Sequence, residues 1–213
     1  MADIFREVEE DLRRDNLEKL WKKYGRAAIV AAAAVVVGVA GAQIWRGYEL
    51  RRDQEMSNRF ADALREAQIK TPAAALPELT ALADEGGGYA SLAALERARV
   101  LAASGDRAGA IETWERIAAD GDVEPSFRAV ATLMAVLHQI DDGDPADLRT
   151  RLAPLMAGGS AFRGSALELM AVLALREGDQ AGARDFYTQI VDDPGSPSGL
   201  RARAAQMLAA LKE

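Results

Sequence analysis

The chain contains no cysteine and a single histidine, His138. The first absence removes disulfides, thiolate nucleophiles and cysteine-ligated zinc together. One imidazole without a thiolate also excludes a histidine-based metal site of the usual kind, and His138 reads as a packed or rim side chain. Aromatic residues are only 6% of the 213 residues. β-Branched residues are scarce outside one stretch, whereas alanine is abundant. That balance argues against β-architecture and predicts an all-α protein with closely crossing helices. Basic charge is in deficit over most of the chain: residues 53–213 carry 16 Lys/Arg against 25 Asp/Glu, a net of −9, while residues 1–52 carry 10 against 8. An acidic body repels a phosphate backbone, so nucleic acid is not an expected partner.

Chemistry-bearing motifs are missing too. Gly86-Gly87-Gly88 lacks the Walker and dinucleotide spacings and the trailing Lys-Ser/Thr, and reads as a turn. Asp141, Asp142, Asp144 and Asp147 miss the calcium-loop register and its terminal glutamate. There is no nucleophile elbow. The expectation is a protein that is not an enzyme, with no catalytic or metal-binding residues, no cofactor and no small-molecule substrate.

One stretch lacks charge altogether. Residues 27–45, AAIVAAAAVVVGVAGAQIW, form as a helix a rod of roughly 28 Å, close to the ~30 Å hydrocarbon core of a bilayer. Arg26 and Arg46 bracket it, and Trp21, Tyr24, Trp45 and Tyr48 stand where an interfacial aromatic belt would lie. The reading is one transmembrane helix. Ala40-Gly41-Ala42 resembles a signal-peptidase site, but the 26 residues before the run are long and mixed in charge, and Arg46, Arg51 and Arg52 follow closely. An uncleaved signal-anchor is therefore favoured, with a cytoplasmic N-terminus and, in a bacterium, a periplasmic C-terminal domain. Ala34, Gly38 and Ala42 recur at four-residue spacing, with Gly41 beside them, a face that lets another membrane helix approach closely.

The remaining segments follow in order. Residues 1–26 read as a cytosolic amphipathic leader with Phe5, Val8 and Leu12 on one stripe. Residues 46–70 continue as a helical stalk, on which Met56, Phe60, Ala63, Leu64 and Ala67 keep a helical period, until Thr71-Pro72 ends it. Residues 71–213 then repeat. Gly-Asp occurs at Gly105-Asp106, Gly143-Asp144 and Gly178-Asp179, spaced 38 and 35 residues apart, with Tyr89, Phe127 and Phe162 each 16 residues ahead. Five residues after each glycine come Ala110, Leu148 and Ala183, and four later Trp114, Leu152 and Tyr187. Those last two spacings make the A-x3-aromatic element of a tetratricopeptide repeat, whose period is about 34 residues, and the middle unit fits it less well. Ala98 and Ala171 supply the small residue of the first helix, and Val136 stands there in the middle unit. The glycine can end the first helix in a left-handed conformation and the aspartate can cap the second. A final helix near 197–212 caps the stack. The fold expected is a single transmembrane helix continuing into a tetratricopeptide-like helical solenoid.

A stack of this kind presents the inner faces of its first helices as a groove. In the Gly-Asp register those faces are Leu92, Leu95 and Arg99; Val130, Leu133, Leu137 and Ile140; and Ser165, Glu168, Val172 and Leu175. Leu95, Arg99, Leu133, Leu137, Glu168 and Val172 are the candidates for touching a partner protein.

Trp21-Lys22-Lys23-Tyr24-Gly25, the Ile44-Trp45-Arg46-Gly47-Tyr48 exit and Phe60-Ala61-Asp62-Ala63-Leu64 resemble the ancillary subunit of the bacterial Sec translocon. Tyr89-Ala90-Ser91-Leu92-Ala93-Ala94-Leu95 and Gly105-Asp106 look like that family's repeat region. The resemblance implies a single-pass inner-membrane protein that links export to periplasmic chaperones or clients, without catalysis. A structural accessory subunit of another inner-membrane complex, such as a respiratory assembly, is the alternative.

Overall fold

The computed structural model describes residues 2–211, with side chains given at 22, 29 and 34–211. Among the described residues there are nine α-helices and no strand: α1 (Ala2–Ile69), α2 (Leu76–Asp84), α3 (Ala90–Ala103), α4 (Arg107–Ala119), α5 (Pro125–Gln139), α6 (Pro145–Leu152), α7 (Arg163–Arg176), α8 (Gln180–Asp192) and α9 (Ser198–Ala210). The chain divides into two compact units, Met1–Gln54 and Glu55–Glu213.

The first unit is helical, the N-terminal part of α1. Residues 34–54 are exposed throughout, and Val35, Val36, Val37, Val39, Ile44 and Leu50 are among them. Among the described residues, no helix is long and apolar enough to cross a membrane. The expected span over 27–45 lies partly outside them, since the side chains at 27, 28 and 30–33 are not described. What is left of it, 34–45, is shorter than the ~20 residues a crossing needs. The expected interfacial residues Trp21, Tyr24 and Arg26, and the apolar stripe of the leader, also fall outside the described side chains.

The second unit begins inside α1. Met56 and Ala63 are buried, and Phe60 and Ala67 partly so, against Leu79 and Leu82 of α2 and Ala93 and Val100 of α3. The apolar stripe read as part of a stalk thus packs into the repeat body. Arg59 fixes this packing from the outside, donating to Glu78 at 2.6 Å and to both carboxylate oxygens of Glu85 at 2.8 Å. Thr71, extended as the residue before a proline tends to be, separates α1 from a 3-10 turn over Pro72–Ala75, and Pro77 occupies the first turn of α2.

Three helical hairpins follow: α3/α4, α5/α6 and α7/α8, with α9 packed on α8. The first and third turns share one construction. The Gly105 and Gly178 φ angles are +90° and +80°, a left-handed region open to glycine. Asp106 N–H then donates to the Leu101 carbonyl and Gly105 N–H to Ala102, the paired bonds that close a helix at such a glycine, and Asp179 and Gly178 repeat them on Ala174 and Leu175. The Asp106 and Asp179 carboxylates accept from Gly109 N–H and Gly182 N–H, each at 2.9 Å. The middle turn departs from this pattern. Gly143 does not adopt a positive φ. It is glycine for space, because a Cβ there would lie 2.8 Å from the Gln139 carbonyl oxygen and 3.1 Å from Leu148 Cδ1. Asp144 still caps α6, accepting from Ala146 N–H at 3.3 Å, but α6 gives way at Leu152 to a 3-10 turn over Ala153–Met156 containing Pro154. The second helix of the middle repeat is therefore short, eight residues against thirteen in the other two hairpins, and that repeat is the least regular.

The signature positions meet in the cores. Ala98, Ala110 and Trp114 share one cluster with Ala131 and Ala135, and Leu148 and Leu152 share another with Val136, Ala166 and Leu173. Ala171, Ala183 and Tyr187 lie together with Ile190, Leu200 and Ala204. Alanines at 98, 110, 171 and 183 are wholly buried, so the helices of the first and third hairpins cross closely.

Candidate protein-binding groove

A depression of about 260 Å³ opens on one face of the second unit, lined by Leu92, Leu95, Glu96 and Arg99 of α3, Val130 and Met134 of α5, Trp114 of α4 and Phe60 of α1. Its α3 wall follows one helical stripe, 92/95/96/99, and its α5 wall another, 130/134 continuing to 137. The walls are aliphatic and the floor aromatic. Trp114 is only 2% exposed and stacks on the His138 ring at a centroid distance of 4.7 Å, and Phe60 meets Tyr89 at 5.8 Å.

The rim carries fixed charge. Glu96 accepts from Arg99 Nε at 2.8 Å and from Nη2 at 2.5 Å, and this hydrogen bonding raises the Arg99 pKa above its ordinary value. Behind the floor, Arg107 donates to the His138 carbonyl and to both Asp142 oxygens, and these bonds from Arg107 hold the Asp142 carboxyl below its usual value. Burial pushes the His138 imidazole below its ordinary value, and the nearby Arg107 charge pushes the same way. Among the described residues, no group of three or more His, Asp or Glu side chains could hold a metal ion.

Several residues expected in the groove stand together here: Leu92, Leu95, Arg99 and Val130. Leu137 is 45% exposed on the same α5 stripe, one turn further on. Leu133 belongs elsewhere. It is 6% exposed, in the core with Val136, Leu148 and Leu173, because α5 packs on α4 along one side and toward α6 and α7 along another. The α5 stripe that lines the depression is therefore 130/134, leading to the exposed Leu137, with Met134 partly buried against the core around Ala98 and Trp114; 130/133/137 was the stripe expected. Ile140 packs against that same core. The third-repeat face does not reach the depression. Glu168 accepts from Arg203 Nε and Nη2 of α9, both at 3.0 Å, Leu175 packs toward α8 and α9, and Val172 is half-buried. Sequence reasoning missed Phe60, Trp114 and Met134 as lining residues. The signals were present: Phe60 on the 56/60/63/67 stripe and Met134 four residues after Val130.

A second exposed apolar surface lies in the first unit. Nothing lies within 4 Å of where a Cβ would stand on Gly38 or Gly41, and Ala34 and Ala42 are exposed beside them. Trp45 Nε1 donates to Glu49 at 2.8 Å, and Trp45, Arg46 and Tyr48 are all exposed.

An apolar depression with a charged rim and no assembled catalytic group suits the side chains of another polypeptide. The model of the tetratricopeptide repeat-like domain matches residues 18–211 of this chain. Domains of that kind mediate protein–protein interaction, so the arrangement is that of a protein-binding scaffold. No curated protein and no solved structure matches the chain. With nearly the whole sequence covered and the signature alanines buried at the hairpin crossings, the chain belongs to the tetratricopeptide repeat-like domain family.

Proposed function

We propose that this protein is a single-pass scaffold of the bacterial inner membrane, with its N-terminus cytoplasmic and its repeats periplasmic. In this reading it is an ancillary subunit of the Sec translocon, receiving exported clients or periplasmic chaperones in the groove between α1, α3 and α5. The observation that carries the membrane assignment is the exposed apolar helix: Val35, Val36, Val37, Val39 and Ile44 are all more than half exposed, with Val37 at 71%. Water does not favour a surface of that kind, and lipid does. The family match begins at residue 18, so the uncharged stretch lies within the matched region. The choice of the translocon rests on the resemblance of residues 21–25, 44–48 and 60–64 to its ancillary subunit.

The test is co-purification of the full chain in mild detergent. Recovery of translocon subunits with chaperones or clients is the expected result. Stoichiometric recovery of oxidase or reductase subunits, without the translocon, would overturn it. That second outcome is favoured by one observation, the open small-residue face at Gly38 and Gly41, which would make the span the principal contact of an accessory subunit. Replacing residues 27–45 by an unrelated apolar helix separates the two. A groove-based scaffold keeps its partners, whereas a span-based subunit loses them.

A further inference from the structure

The groove between α1, α3 and α5 is short, and its charge is uneven. One wall runs along α3 from Leu92 to Arg99, the other along α5 from Val130 to the exposed Leu137, seven residue steps each. At 1.5 Å per residue that is about 10 Å, or two helical turns. A guest helix covers the same distance with apolar side chains at i, i+4 and i+7. On the α3 wall the charges cancel, because Arg99 is paired with Glu96 at 2.5 Å. On the α1 side Arg59 is taken up by Glu78 and Glu85. The remaining arginines of α3 and α5 lie off these walls. Arg97 lines a separate cavity with Ala90 and Ala94, and Arg128 stands on the 128/132/135 stripe, whose Thr132 and Ala135 line another cleft.

At the end of α5 the charges do not cancel. The turn that follows Leu137 carries Asp141, Asp142 and Asp144, all exposed. Two guanidiniums meet them. Arg107 pairs with Asp142 at 2.5 Å, and Arg176 donates to the Ile140 and Gly143 carbonyls at 2.6 and 2.5 Å rather than to a carboxylate. Three carboxylates against two guanidiniums leave this end of the groove one charge negative. Asp141 is in no ion pair among the described residues; only the field of Arg107 reaches it. The body around it has the same sign, a net of −9 over residues 53–213. We propose that the groove receives a cationic amphipathic helix of another polypeptide, its apolar stripe on Leu92, Leu95, Val130 and Met134 and a lysine or arginine at the end of that stripe beside Asp141. The apolar contacts supply affinity, and the charge steers and selects. An anionic guest would set a carboxylate against Asp141 and find no cation on these walls that is not already paired. The proposal rests on the groove reading and adds the sign of the partner's charge to it; it does not depend on the translocon.

The chain has no cysteine, so Ala103→Cys, exposed at the end of α3 one turn past Arg99, takes a single environment-sensitive fluorophore. The labelled full chain in dodecyl maltoside is titrated with three alanine-based peptides of equal length. Each carries leucine at i, i+4 and i+7, and they differ only in having lysine, glutamine or glutamate at the flanking positions. The lysine peptide is expected to bind saturably and about tenfold tighter than the glutamate peptide, with glutamine between them and the gap narrowing as salt is raised. Asp141→Asn should cut the lysine preference about threefold. Leu95→Gln should weaken all three peptides alike, and should that variant not fold, the exposed Leu137→Gln makes the same comparison. Equal binding of the three peptides, tighter binding of the glutamate peptide, or a lysine preference untouched by Asp141→Asn would overturn the proposal, and the groove reading stands if Leu95→Gln or Leu137→Gln still weakens binding. No saturable binding of any peptide, or binding indifferent to both leucine variants, would overturn the groove reading with it.

Discussion

Two kinds of side chain share the groove and differ in what they are for. Trp114 is nearly fully buried, the largest side chain in its core, and touches the small residues of both flanking helices. Its replacement by alanine should cost about 3–5 kcal/mol and lower the melting temperature by roughly 6–20 °C in thermal unfolding. Leu137, nearly half exposed, should cost under ~1 kcal/mol on the same change. It should nonetheless weaken partner capture, so stability and binding separate between residues on one surface. Titration gives a second residue-scale expectation. The folded His138 pKa lies below the unfolded value of 6.5, so the unfolded chain binds the extra proton first. Stability is then complete above about pH 6.5 and falls as pH drops from there toward the folded value. Glu115 acts in the same sense at lower pH. Burial raises its pKa, but hydrogen bonds from Arg151 and Gln139 outweigh this and hold it below the ordinary value of 4.5. Its contribution is present above that value and is lost as pH falls through the folded pKa. Urea unfolding of wild type and His138→Phe between pH 7 and 5 should show a pH-dependent midpoint in the first and a flatter one in the second. Equal slopes would contradict the assignment to His138.

At the scale of elements, the Gly-Asp turns were the most legible feature, because their chemistry is local. Glycine for a left-handed residue and aspartate for a cap need no tertiary knowledge. The middle turn shows the limit of such reading. Gly143 looks the same in sequence but serves close approach rather than positive φ. Gly109 and Gly182 went unread for a similar reason. A Cβ on either would stand 2.5 or 2.2 Å from its own capping carboxylate, so the working unit is Gly-Asp-x-Ala-Gly. Gly105→Ala should destabilise by about 1–2 kcal/mol through backbone strain alone. Asp106→Ala should lose about 1 kcal/mol through the cap. Adding Gly109→Ala to Asp106→Ala should cost less than Gly109→Ala does in wild type, since the clash partner has gone. Denaturant midpoints of the four proteins check this, and strict additivity would contradict it. The repeat helices themselves were readable from period and spacing, but not which stripe of α5 lines the depression. That stripe is set by α5 being packed on two sides, which shifted the groove from Leu133 to Met134.

For the whole molecule, the sequence and the structure each show two exposed apolar features where one would be ordinary: the stretch of α1 before residue 50 and the depression beside Trp114. The repeat family was legible because its signature is a spacing of small and bulky residues that the buried cores require. The boundary of the repeat body was less so. A helical stripe over 56–67 fits a stalk or a packed helix equally, and only its burial against α2 and α3 decides. In the proposed function the groove is the surface that holds another protein while α1 holds the membrane. The direct measurement is photocross-linking in intact cells from a benzophenone side chain placed in turn at Leu137 and at Gly38. Discrete adducts with a translocon-associated client or chaperone from position 137, on chain recovered in the membrane fraction, are the predicted result. Adducts from position 38 alone, or chain found free of the membrane, would contradict it.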